Sequence, residues 1–196
     1  FPHIHVEGGY WWTGIALENV STSSAAVILT PYDANGNALA SVTYEMAASE
    51  KLVKLAQSFW EDKGTALPEG TAWIHVTTSN GRLIGYELFG TLQAAGNTLL
   101  TAVNAPGTGD RSLLYPHISD DAEEWTGIVV LNIGTEPTTV TIEARDDNGT
   151  LLEMYELEIL LQPNQKWVKL ARDILPGGLP KGRTMLTLNA DTPLAG

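Results

Sequence analysis

A chain of 196 residues with 43% hydrophobic and 17% charged residues has a globular balance and the length for two small domains, which excludes a disordered tail. Its net charge of −12, spread along the chain, repels phosphate backbones and anionic lipid, so neither nucleic acid nor membrane insertion is expected, and no apolar run reaches the roughly 18 residues of a membrane span. The absence of cysteine excludes disulfides and thiolate metal sites, and 19 glycines with 10 prolines suit a turn-rich β protein.

The first strand signal is Trp12-Thr13-Gly14-Ile15. Ile15 and Leu17 share one parity and are expected in a core, while Trp12 and Gly14 share the other, where an indole can cover the bare glycine backbone. Ala25 to Asp33 reads as the next strand, with Val27, Leu29 and Pro31 inward. Asn35-Gly36 predicts a hairpin turn, because both residues tolerate positive φ. The chain returns through Ala38 to Met46, with Val42, Tyr44 and Met46 inward. Val53 and Leu55 mark a short strand, Ala56 to Trp60 a helical turn, and Ile74 with Val76 another strand. Leu83 to Phe89 adds one more, and Leu99 to Val103 reads as a strand ahead of a linker over residues 104–114.

Beyond the linker the same signals return in the same order, at an offset of about 113 residues, too long for a solenoid unit. Phe1-Pro2-His3-Ile4 recurs as Tyr115-Pro116-His117-Ile118, and Trp12-Thr13-Gly14-Ile15 with Asn19 as Trp125-Thr126-Gly127-Ile128 with Asn132. Asp33 to Gly36 recurs as Asp146 to Gly149, Val53 to Ala56 as Val168 to Ala171, and Leu67 to Gly70 as Leu179 to Gly182. Val140, Ile142 and Ala144 alternate with polar residues and are expected inward, as are Ile128, Val130, Tyr155, Leu157 and Ile159. Leu186 and Leu188 answer to Ile74 and Val76, and Ala171 to Leu175 is expected to repeat the helical turn. These patterns predict an all-β fold: two tandem antiparallel β-sandwich domains, Ig-like in the broad sense and related by internal duplication. The domains are expected at residues 1–103 and 115–196. Gly196 aligns with Gly85, so the last strand or strands of the second domain are expected beyond this fragment or supplied by residues 86–103.

Three histidines raise a metal reading. His3 and His5 lie two apart on one face of an extended segment, and His75 sits on another strand, so three imidazoles of a zinc-dependent hydrolase are conceivable. Only His3 has a counterpart, His117, which favours a structural hydrogen bond from the first segment instead. Asp33-Ala34-Asn35-Gly36 resembles the opening of a calcium loop, with Glu45 near the final ligand position, but a strand context suits an Asx-type turn better. Asp120-Asp121 and Glu123-Glu124 read as a solvated loop or a cation site. Tyr10 and Trp11 give the one hint of binding. Their counterparts are Glu123 and Glu124, so the fold does not demand aromatics there, and exposed rings stack on sugars or anchor proteins. Tyr32, with Ile28 on the same outward parity, adds to that hint, against packing within the sandwich as the plainer account. No nucleophile elbow, phosphate loop, zinc-protease helix or dinucleotide fingerprint occurs.

Phe1-Pro2-His3, Trp12 to Ile15 with Asn19, Asp33 to Gly36, Lys51 to Leu55 and Ile84 to Gly90 together resemble a family of bacterial exported tandem β-sandwich repeats. The resemblance covers nearly the whole chain apart from the linker. It implies a non-catalytic structural or adhesive module of a secreted or cell-surface protein, with no cofactor and a protein or glycan partner. Carbohydrate binding through Tyr10, Trp11 and Tyr32 is the alternative expectation. The sequence leaves the oligomeric state open.

Overall fold

A computed structural model describes residues 1–5, 10–91, 100–119, 124–156, 160–174 and 184–196. The chain is all-β with antiparallel sheets and divides into two compact units, Phe1–Gly107 and Thr108–Gly196. Leu157, Ile159, Leu175, Leu179 to Gly182 and Asp120 to Glu123 lie outside the described residues.

The first unit runs through β1 (Trp11–Asn19), β2 (Ala25–Tyr32), β3 (Val42–Met46), β4 (Lys51–Leu55), β5 (Trp73–Thr78), β6 (Leu83–Thr91) and β7 (Leu100–Asn104). One sheet has the order β4-β1-β6-β7 and the other β3-β2-β5. The core between them is the set that the two-residue period marks. Ile15 and Leu17 meet Val27, Leu29, Val42, Tyr44, Met46 and Ile74, all buried, with Pro31 buried beside them. Each such aliphatic side chain contributes about 1.5–3 kcal/mol by leaving water. The helical turn after β4 forms as α1 (Ser58–Glu61) and closes one side with Phe59 and Trp60, whose indole N–H donates to Ala40 O at 3.0 Å.

The second unit runs through β8 (Asp110–Tyr115), β9 (Gly127–Asn132), β10 (Thr141–Arg145), β11 (Leu151–Glu156), β12 (Lys166–Leu170) and β13 (Met185–Ala195). Its core holds Ile128, Val130, Val140, Ile142, Ala144, Trp167, Leu186 and Leu188. A 3-10 turn, Ala171–Asp173, stands where α1 stands in the first unit. β13 is continuous where the first unit has two strands: residues 185–189 pair with β10 and β8, and Leu194 and Ala195 pair with Asn132 and Leu131 of β9. The register matches β6 on β1, where Leu83 pairs with Asn19 and Ile84 with Glu18.

Several expectations are refined. The predicted linker is shorter, since Asp110–Tyr115 is a strand of the second unit, and β7 pairs with β6 inside the first. Residues 86–91 and 100–104 pair within the first unit's own sheet. Asn35-Gly36 does form a turn, with Gly36 at φ 91° and Gly149 at φ 76°. It is not a tight two-residue hairpin: Asp33 Oδ1 accepts the N–H groups of Asn35 and Asn37, Tyr32 bridges to Ala38, and β3 begins only at Val42.

The same polar contacts recur in both units. Asn19 is buried at the end of β1 and donates to Ser23 O, Met46 O and Ala47 O, while its Oδ1 accepts from Ser21 N. Asn132 donates to Glu136 O and Leu161 O and accepts from Gly134 N and Thr192 Oγ1. Thr13 Oγ1 accepts from His5 N, as Thr126 Oγ1 accepts from Ser119 N. Asp146 Oδ1 takes the N–H groups of Asn148 and Thr150. The Trp12 and Trp125 rings lie over Gly14 and Gly127, 3.4 and 3.7 Å from where a Cβ would stand.

Tyr115 has a part with no parallel in Phe1. In β1, Ala16 pairs with Tyr86, and Gly85 spends its carbonyl on Ala105 N. The carbonyl of the matching residue of β9, Val129, accepts the Tyr115 phenol at 2.6 Å. Burial pushes the Tyr115 hydroxyl up to about 12. Burial, then the charge and hydrogen bond of Asp62, do the same for Tyr44, whose hydroxyl donates to Phe59 O at 2.7 Å. A phenol pKa raised in the folded chain favours ionisation of the unfolded chain. Both contributions are therefore complete below about pH 10 and are lost as pH climbs towards 12. Ultraviolet titration near 295 nm is expected to lose one late phenolate step in each of Tyr44→Phe and Tyr115→Phe.

Candidate functional site

The aromatic and imidazole candidates gather in two groups of the first unit. Trp11 opens β1 on the core parity, facing Thr91 across the sheet, with Thr13 facing Phe89 and Ile15 facing Glu87. The segment Phe1 to His5 runs past this end, held by Ile4 N to Ala72 O and by mutual bonds between His5 and Thr13. That route stacks His3 on His5 at 5.8 Å, tilts His3 on Phe89 at 4.8 Å and sets His5 edge-on to Trp11 at 4.9 Å. Beneath them the Glu87 side chain is fully buried, and its Oε1 accepts the His3 backbone N–H at 3.0 Å. A buried carboxylate is costly unless it is hydrogen-bonded, so Glu87 braces the first segment against β6.

The second group sits on the outward parity of β2 and β5. Tyr32 stacks on Trp73 at 4.3 Å with 13° between the planes, and Trp73 lies 6.1 Å from His75. The His75 ring is exposed, yet partial desolvation and then the Phe1 ammonium lower its pKa. Tyr10 is exposed at the turn into β1, at 57%.

The structure places His3 and His5 side by side but puts His75 with Trp73 and Tyr32, and His117 is exposed in the second unit. Among the described residues no group of three or more His, Asp or Glu side chains is placed to hold a metal ion. The calcium-loop reading fails locally: the Asp33 carboxylate is occupied by Asn35 and Asn37, and those bonds, the Asn37 side chain first, lower its pKa. Asp146 is lowered in the same way, chiefly by the Thr150 N–H. Trp11 is partly buried, edge-on to His5 and 6.4 Å from the Phe89 ring. Tyr10, Trp11 and Tyr32 do not assemble into one platform: Trp11 belongs to the histidine group and Tyr32 to the Trp73 group.

Sequence reasoning missed Glu87, Phe89 and Trp73. The signal was present in Tyr86-Glu87-Leu88-Phe89, where Glu87 shares the parity of Phe89 and must face inward if Phe89 does. No protein-family model, curated protein or solved structure matches this chain.

Proposed function

We propose that the chain is a tandem of two copies of one non-catalytic β-sandwich module, a structural or adhesive element of an exported bacterial protein. One observation carries this reading. The polar residues common to both halves spend their hydrogen-bonding capacity on their own backbone: Asn19 and Asn132 on loop carbonyls, Thr13 and Thr126 on the first segment, Asp33 and Asp146 on their turns. Catalysis needs convergent polar groups beside a space for substrate, whereas these groups serve the scaffold. The exported setting rests on the resemblance of the repeated motifs to bacterial surface repeats, and the net charge of −12 suits a chain kept soluble in an array.

Carbohydrate binding is the second reading, supported by the exposed ring of Tyr10. A glycan array probed with wild type and Tyr10→Ala separates the two. Silence from both proteins is the expected result. A wild-type signal that the variant loses would replace the scaffold reading with sugar binding, and a stoichiometric metal ion in purified protein would overturn the non-catalytic assignment.

A further inference from the structure

The outward face of the β4-β1-β6-β7 sheet has the wrong polarity for a face in water. Strand register puts Leu55, Gly14 and Leu88 in one row, Val53, Ala16 and Tyr86 in the next, and Ile84 in a third beside Glu18 and Lys51. Leu100 continues the face on β7. The exposures are large: Val53 63%, Leu55 43%, Ile84 57%, Tyr86 44% and Leu100 62%. On β4 the usual amphipathic order is reversed. Val53 and Leu55 point out, while Lys54 takes the core parity opposite Ile15. Lys54 reaches round the margin to form an ion pair with Asp62, and its ammonium lies 5.3 Å from the Tyr44 ring centre. The second unit repeats the inversion. Val168 is 46% exposed opposite Val129, while Lys169 takes the core parity opposite Ile128 with its ammonium 6.0 Å from the Trp167 ring. A Val-Lys-Leu strand written the same way twice, with its aliphatics outward each time, marks a face kept for contact.

We propose that this face of the first unit is a homotypic docking surface whose occupant is a second copy of the chain. Charge selects that occupant. With 23 acidic and 11 basic residues, two copies repel over most approaches. The rows that register defines across β4, β1 and β6 carry a single acid, Glu18, and it sits directly opposite Lys51. Glu18 and Lys51 thus set one acid and one base side by side at the rim of the apolar rows. Side-by-side opposite charges at the rim of an apolar face are self-complementary under a two-fold axis. The five most exposed side chains offer on the order of 500 Å², the greater part of the roughly 800 Å² that each partner of a standard interface buries. Two such faces pack as sandwich sheets do, with aliphatics interdigitated.

Sedimentation velocity of the whole chain, from micromolar to millimolar, tests this directly. The wild type is expected to form a dimer that weakens roughly a hundredfold or more in Val53→Asp and in Ile84→Asp. Both positions are exposed and on separate strands, so far-UV circular dichroism and melting of each variant should match the wild type. Glu18→Lys should weaken the dimer, and the double variant Glu18→Lys/Lys51→Glu should restore it. A wild type that stays monomeric at every concentration overturns the proposal, whatever else then binds the face. A dimer untouched in either Asp variant overturns it equally.

Discussion

Asn19→Ala is expected to destabilise the first unit by about 3 kcal/mol, and Asn132→Ala the second by a similar amount. A single amide at the end of β1 holds the carbonyls of Ser23, Ala47 and Met46, the last at the end of β3, and the Ser21 N–H. Removing it leaves buried acceptors without donors, a larger loss than the net worth of any one bond. Asn19→Asp should be worse, because it turns a donor into an anion facing carbonyl oxygens. Urea unfolding followed by tryptophan fluorescence checks this in a way that also tests independence. The two units have separate apolar cores, so each variant should shift one transition and leave the other in place. Coincident shifts of both transitions would mean that the halves unfold as a single cooperative body.

Trp60→Ala is expected to cost the first unit about 4 kcal/mol. Its ring is 1% exposed beside Phe59, and its N–H ends on Ala40 O, so truncation leaves a void and removes that hydrogen bond. Trp60→Phe keeps most of the filling and loses the hydrogen bond, and should cost about 1–2 kcal/mol. Differential scanning calorimetry reads both. Among the described residues the second unit has a 3-10 turn at this place, with Ala171 and Ile174 buried in its core. The large aromatic plug therefore belongs to the first unit, and its removal should leave the second unit's transition unchanged.

The core was legible because a strand with one dry face writes its burial in a two-residue period. Val27, Leu29, Val42, Tyr44, Met46, Val140, Ile142 and Ala144 are all buried as that period requires. The recurring Asn19 and Asn132 were visible as markers, but their work was not, since it depends on loops brought together only by the fold. Asn35-Gly36 announced a turn correctly. What the dipeptide concealed is that Asp33 organises the turn through a longer loop. On β4 the sequence marked a strand and assigned no face to it. An edge strand lets a lysine at an inward position escape round the margin, so Lys54 lies on the core parity and Val53 points out. Glu87 was hidden for the opposite reason: a charged residue in a strand is read as outward until a backbone N–H is found to hold it inside. Two residues apart on one extended segment places the His3 and His5 imidazoles together, but nothing in spacing says where β5 points His75.

The Tyr115 phenol binds the Val129 carbonyl of β9 from a side chain, so it fastens β8 to β9 although the two strands share β13 and have no ladder with each other among the described residues. The single oxygen that separates Tyr115 from Phe1 thus works as a rivet between strands that backbone hydrogen bonds do not join directly.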